Sequence, residues 1–250
     1  EPASVIYKSN TAIDRIKADP QPARVLAMEL EDFPYRDTDL EADGLMIHGV
    51  RSVLGYHGNQ LGRYNDLLDK DQSFQEVVNP RTWELLNIRY LLTNSARAET
   101  VFKGAKPLLG PVKDAAGADV YLYQLPGDNP YSWVTPAIIK SDDAAVKETL
   151  MHPRFDVRAA ALFASDAPVD GPGSIQTMPI PLPIRSTVTR YEPGKISISL
   201  SDGAPAGSAL LVSDNYYPGW HATVDGKPAS VGRADYVLTG VQLPAGARNV

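Results

Sequence analysis

Residues 209–250 place the tightest constraint on the fold, because they read as short strands joined by tight turns. Ala209-Leu210-Leu211-Val212 is a short apolar strand that runs into the aromatic turn Tyr216-Tyr217-Pro218-Gly219-Trp220. Strand candidates follow over 221–224, 228–231 and 236–242, with Asp225-Gly226 between the first two. Pro218 fixes φ and Gly219 permits φ > 0, so the chain is expected to reverse just before Trp220. Asp-Gly between strand-like segments is a strong short-range hairpin signal. Ala222 and Val224 fall on the same face as Trp220, so Trp220 is expected in the core of a small β-module rather than as an exposed sugar platform.

Upstream, the chain reads differently. Helical spacing over 11–18 with Asn10 or Thr11 as cap is followed by a strand at 24–28. Residues 45–54 read as strand or buried loop anchored by Met46, Ile47 and Val50. Helices are expected over 60–68, with Leu61, Tyr64, Leu67 and Leu68 on one stripe, and over 73–78. Asn79-Pro80 starts another, with Trp83, Leu85 and Leu86 facing inward, before a strand at 89–93. Short strands alternate with turns over 100–124; a strand follows at 133–139, a helix at 142–151 and an apolar strand at 157–163.

Residues 166–183 are rich in Pro and Gly and read as a linker, after which Ile196, Ile198 and Leu200 alternate with serines as in a half-buried antiparallel strand. The expected class is α+β: a mixed α/β domain over 1–172, then a small antiparallel β-sandwich over 173–250. Seventy-odd residues is small for an independent sandwich. Strands from 133–139 or 157–163 are therefore expected to join or cover it.

Composition narrows the function classes. The net charge is −6 with both signs interspersed, which disfavours nucleic acid, since phosphate binding needs a clustered basic surface. No run of eighteen apolar residues is present, so nothing in this sequence is expected to span a bilayer as a helix. Without cysteine there are no disulfides, thiol nucleophiles or thiolate metal sites. His48, His57, His152 and His221 show no metal-ligand spacing, and no nucleophile elbow, phosphate-binding loop or dinucleotide fingerprint occurs. No cofactor is expected. The carboxylates at 29–32 and 37–41 lie in a polar loop and read as solvated surface rather than an acid–base pair.

One segment concentrates ligand-binding chemistry. His48, Tyr56, His57, Asn59, Arg63 and Tyr64 lie among four glycines, Gly49, Gly55, Gly58 and Gly62. Glycine lets backbone approach a ligand closely, and these side chains supply planar hydrogen-bonding groups and flat faces suited to a sugar or phosphate. The structural alternative is a Gly-rich turn whose polar groups satisfy local backbone.

Four stretches, in order, resemble one family. Arg51-Ser-Val-Leu-Gly-Tyr56 is similar to an S-x-x-GY segment, and Leu85-Leu-Asn-Ile-Arg-Tyr-Leu-Leu92 to an LLNVKY helix-to-strand passage. Val120-Tyr-Leu-Tyr123 resembles the strand before an LPRA segment, which here reads Asn129-Pro-Tyr-Ser-Trp133, so no arginine role carries over. The YYPGW turn, Asp-Gly and Leu243-Pro-Ala-Gly246 complete the set. Together they resemble the C-terminal extracytoplasmic region of the YfhO family of bacterial polytopic membrane proteins, across residues 23–250.

That resemblance implies a glycosyltransferase-like parent using polyprenyl-phosphate sugars, with its catalytic carboxylate in a loop outside this sequence. The ends then read as those of an excised extracytoplasmic region, packed beside the parent's own membrane helices and inactive alone. Its expected partner is a cell-envelope glycan or polymer. The competing class is a non-catalytic module for protein contact or assembly.

Overall fold

The computed structural model describes residues 7–32, 39–40, 43–55, 61–70 and 75–250. The chain is β-rich, with several sheets and short helices, and it divides into two compact units. One comprises Glu1–Leu61 and Leu68–Asn129, the other Gly62–Leu67 and Pro130–Val250.

The first unit is built on a mixed sheet of β1 (Arg24–Ala27), β2 (Arg51–Ser52), β3 (Ile88–Thr93), β4 (Lys106–Lys113) and β5 (Asp119–Gln124), in the order β2-β1-β3-β5-β4. β1 runs parallel to β2 and β3, and β5 is antiparallel to β3 and β4. The helix Thr11–Lys17 buries Ala12, Ile13 and Ile16, and the Asn10 side chain accepts hydrogen bonds from the backbone of Ala12 and Ile13. The helix Pro80–Leu85 starts after Asn79, whose side chain caps Arg81 N–H, and it buries Trp83 with its indole N–H donating to Val77 O at 2.7 Å. These starts lie where the Asn and Pro signals put them.

Residues 45–54 differ from expectation. Gly44–Ile47 forms a short helix that turns Leu45 inward and leaves Met46 and Ile47 71% and 57% exposed, so only Val50 of the expected anchors is buried. Leu61 likewise lies outside the helix Gly62–Leu67 and is exposed, whereas Leu67 and Leu68 are buried. The segment expected as a helix over 73–78 is a 3₁₀ turn over Gln75–Val78.

The second unit carries β6 (Ser132–Thr135), β7 (Ala137–Ser141), β8 (Ala160–Ala164), β9 (Ser186–Glu192), β10 (Lys195–Ala204), β11 (Ser208–Asn215), β12 (Ala222–Val224), β13 (Lys227–Ala229), β14 (Val231–Ala234), β15 (Leu238–Leu243) and β16 (Ala247–Asn249). Six strands form one sheet in the order β6-β11-β15-β14-β8-β7, and three form another in the order β16-β10-β9. Strands from 130–164 thus share a sheet with strands from 208–243, with Leu210 opposite Val134 and Ala234 opposite Phe163. The continuous part of the second unit begins at Pro130, ahead of the Pro-rich stretch. Trp133, Val134 and all of Ala160–Ala164 are buried, and Val134 shares an apolar cluster with Ile198 and Leu200 of β10, so this apolar surface belongs with the strands that follow.

The Pro-rich stretch expected as a linker runs along the second unit. Val169 is buried, Asp170 exchanges two hydrogen bonds of 3.1 Å with Gln242, and Lys140 N–H donates to Pro172 O. Ile198, Leu200 and Ala204 of β10 join Leu210, Val212, Val241 and Leu243 of the larger sheet in one apolar cluster, to which Ala247 of β16 also belongs.

Candidate functional site

Beside the apolar cluster that strands of both sheets share lies a cleft of about 390 Å³. Its walls include the run Gly194 to Ile198 at the start of β10, Val212 of β11, Val231 of β14, and Thr239 and Val241 of β15. Asp214 lies two residues beyond Val212 and also lines the cleft. The β11–β15 register shifts between Val212, opposite Thr239, and Asn215, opposite Leu238. Such an irregularity re-aims a side chain at the end of a ladder. Tyr131 hydroxyl donates to Asp214 Oδ2 at 2.5 Å, and Thr239 Oγ1 donates to Asp214 O at 3.2 Å.

The aromatic turn forms one lip. Tyr217 O accepts from Trp220 N–H at 3.0 Å, which closes the reversal ahead of β12. Gly219 is not among the residues with positive φ; its need for no side chain is steric. A Cβ there would lie 2.8 Å from Tyr217 Cε1, so the Tyr217 ring lies over Gly219, and it is 69% exposed.

Trp220 is half-buried and lines the cleft, beside exposed His221 and Thr223. The expectation of a core tryptophan is therefore corrected: Trp220 precedes β12, outside regular strand pairing, and is only half-buried. Trp83 and Trp133 are the buried ones, each with its indole N–H bonded to a backbone carbonyl.

Beyond the turn, Asp225 and Gly226 have φ of 48° and 79°, the two left-handed positions of a type I′ hairpin. Asp225 Oδ1 and Oδ2 accept from the backbone of Asn249 and Arg248, which ties this hairpin to β16. Val250 exchanges backbone hydrogen bonds with Ile198 and lines the cleft from that side. At the β9–β10 hairpin, Tyr191 pairs with Ile196 and sets its ring edge-on to Tyr131 at 5.6 Å.

Chemically, the cleft joins a flat aromatic ring, apolar walls, one carboxylate and a few hydroxyls. Among the described residues lining it, Asp214 has the only acidic side chain, so the paired side-chain carboxylates of glycoside hydrolysis are not assembled there. This arrangement suits binding.

The residues singled out from the sequence are distributed differently. His48 is in the first unit, its side chain 5% exposed and Nε2 3.5 Å from Asp39 Oδ1. Burial, together with Asp114 nearby, pushes the Asp39 carboxyl above its ordinary range against the opposing effect of His48. Arg63 and Tyr64 belong to the second unit, on Gly62–Leu67. Tyr56, His57 and Asn59 lie outside the described residues.

Arg63 is engaged in an ionic network: its Nε lies 2.8 Å from Asp143 Oδ2, and Arg233 reaches Asp143 Oδ1 at 2.7 Å. Asp66 accepts from Lys147 at 2.7 Å and from the Tyr236 hydroxyl at 2.6 Å. Burial and this hydrogen bond to Asp66 push the Tyr236 hydroxyl up to about 12.

Asp214 was legible in principle, as a polar residue continuing the inward row Leu210, Val212. Tyr131 had no such signal, because its partner lies 83 residues away. Among the described residues, no group of three or more His, Cys, Asp or Glu is placed to hold a metal ion. Compared with family profiles, with curated proteins and with solved structures, the chain matches none.

Proposed function

We propose that this chain is a glycan-recognising region whose second unit is a β-sandwich-type binding module, with the cleft beside Trp220 as its site. The carrying observation is that Trp220, after a Pro-Gly turn, lines an open apolar cleft together with the Asp214 carboxylate. An aromatic ring takes the C–H face of a pyranose, while a fixed carboxylate accepts hydrogen bonds from its hydroxyls. The volume lies at the small end of the range for ligand pockets and fits one or two sugar units.

The wider setting is proposed from the motif resemblance: an extracytoplasmic region of a membrane glycosyltransferase-like protein, which holds a cell-envelope glycan or polymer acceptor for chemistry performed elsewhere in the parent. In that reading the chain alone transfers no sugar.

Isothermal titration of the chain with a panel of cell-envelope oligosaccharides tests the proposal. Binding of at least one, lost in Trp220→Ala while the fold is kept, supports it. Unchanged affinity in that variant, or no binding across the panel, counts against it.

A further inference from the structure

We propose that the cleft selects neutral or amine-bearing sugar chains over anionic ones; this deepens, and rests on, the glycan reading above. The selecting group is Asp214. It is half-buried, whereas the two cationic-type side chains that also line the cleft, Lys195 and His221, are exposed to solvent. A carboxylate accepts hydrogen bonds and donates none. A hydroxyl or ammonium on the ligand satisfies it, and a ligand carboxylate or phosphate repels it.

Asp214 has little freedom to turn away from a repelling ligand. Its Oδ2 is held by the Tyr131 hydroxyl and its carbonyl by the Thr239 hydroxyl. Tyr131 is itself buried and edge-packed against Tyr191. The carboxylate is thus a positioned acceptor beside apolar walls.

Two matched pairs of trisaccharides separate charge from shape: trigalacturonate against its fully methyl-esterified form, and glucosamine trimer against N-acetylglucosamine trimer. Each is titrated into the whole chain by calorimetry, with backbone amide shifts reporting the location. The methyl ester is expected to bind at least tenfold more tightly than trigalacturonate, and the glucosamine trimer no more weakly than its acetylated form, with shifts at Val212, Asp214, Trp220 and Val241. Asp214→Asn should shrink the ester-to-acid ratio by raising affinity for the acid.

Trigalacturonate binding through those residues as tightly as its ester overturns the selectivity, as does an unchanged ratio in Asp214→Asn. The wild-type ratio decides alone if that variant does not fold. If neither pair shifts the cleft, the glycan reading itself fails, and the selectivity with it.

Discussion

Tyr131 and Asp214, 83 residues apart in sequence, meet through a hydrogen bond of 2.5 Å from the tyrosine hydroxyl to Oδ2 of the carboxylate. The bond joins the start of β6 to the end of β11 and fixes the acid of the cleft. Tyr131→Phe removes the donor while keeping the ring in its edge contact with Tyr191. Hydrogen bonds to charged groups contribute roughly 1.5–3 kcal/mol, so urea denaturation should show a loss at the lower end of that range, and ligand affinity should fall with it. An unchanged midpoint together with unchanged affinity would show that Asp214 is positioned by backbone alone.

The three tryptophans should respond differently to truncation. Trp133 is 2% exposed, donates to Val157 O at 3.0 Å and has the Arg158 guanidinium over its ring at 5.6 Å. Trp133→Ala should cost about 3–5 kcal/mol. Trp220 is only half-buried, so Trp220→Ala should cost roughly 1–2 kcal/mol, in proportion to the smaller area it removes from water. Thermal melting of the two variants side by side distinguishes these roles; equal losses would return Trp220 to the core.

Gly219→Ala places a methyl group 2.8 Å from Tyr217 Cε1. Tyr217 is exposed and its ring can swing aside, so the stability change should stay below about 1 kcal/mol. The lip of the cleft changes shape instead, and ligand affinity should fall several-fold with little change in melting. Gly226→Ala is the contrast: its Cβ meets open space, but φ is +79°, so the loss of about 1–2 kcal/mol should appear in stability.

The segment Gly62–Leu67 is clasped by charge, and its pH dependence has a definite sign. Hydrogen bonds from Lys147 and then Tyr236 hold the Asp66 carboxyl below its ordinary range. Burial pushes Asp143 up, but hydrogen bonds from Arg233 and Arg63 outweigh it and hold that carboxyl low as well. A folded pKa below the unfolded one gives stability that is present above the unfolded value and lost as pH falls through the folded value. Asp66→Asn combined with Asp143→Asn should therefore flatten the acid limb of a urea-midpoint profile, by no more than about 1 kcal/mol per exposed pair. Tyr236 has the opposite sign: its contribution is present below the ordinary tyrosine value and is lost as pH rises through about 12. Tyr236→Phe should remove that alkaline loss.

Local signals carried much of the fold. Asn10 and Asn79 cap the helices they were expected to start, Asp225-Gly226 makes the hairpin its φ preferences favour, and the alternation at 196–200 is that of a strand with one buried face. What local pattern could not supply was which strands share a sheet. The apolar run 157–163 announces burial but not its cover, and the register of Ala234 opposite Phe163 is set by packing across 71 residues. Met46 and Ile47 misled because a four-residue helix turns one apolar side chain inward and its neighbours outward.

The site was less legible than the fold. Chemistry-bearing residues clustered at 48–64, yet His48 and Arg63 fold into different units, and each already faces a carboxylate. The cleft instead draws on residues from 194 to 250 that only the two sheets bring together.

The claim that the cleft beside Trp220 is the glycan site is tested most directly by amide chemical-shift mapping during titration of the whole chain with neutral cell-envelope oligosaccharides. Saturable shifts are predicted at residues 194–198, 212–223 and 239–250, with those at 48–64 unmoved. Shifts confined to 48–64, or none anywhere on the chain, would contradict it.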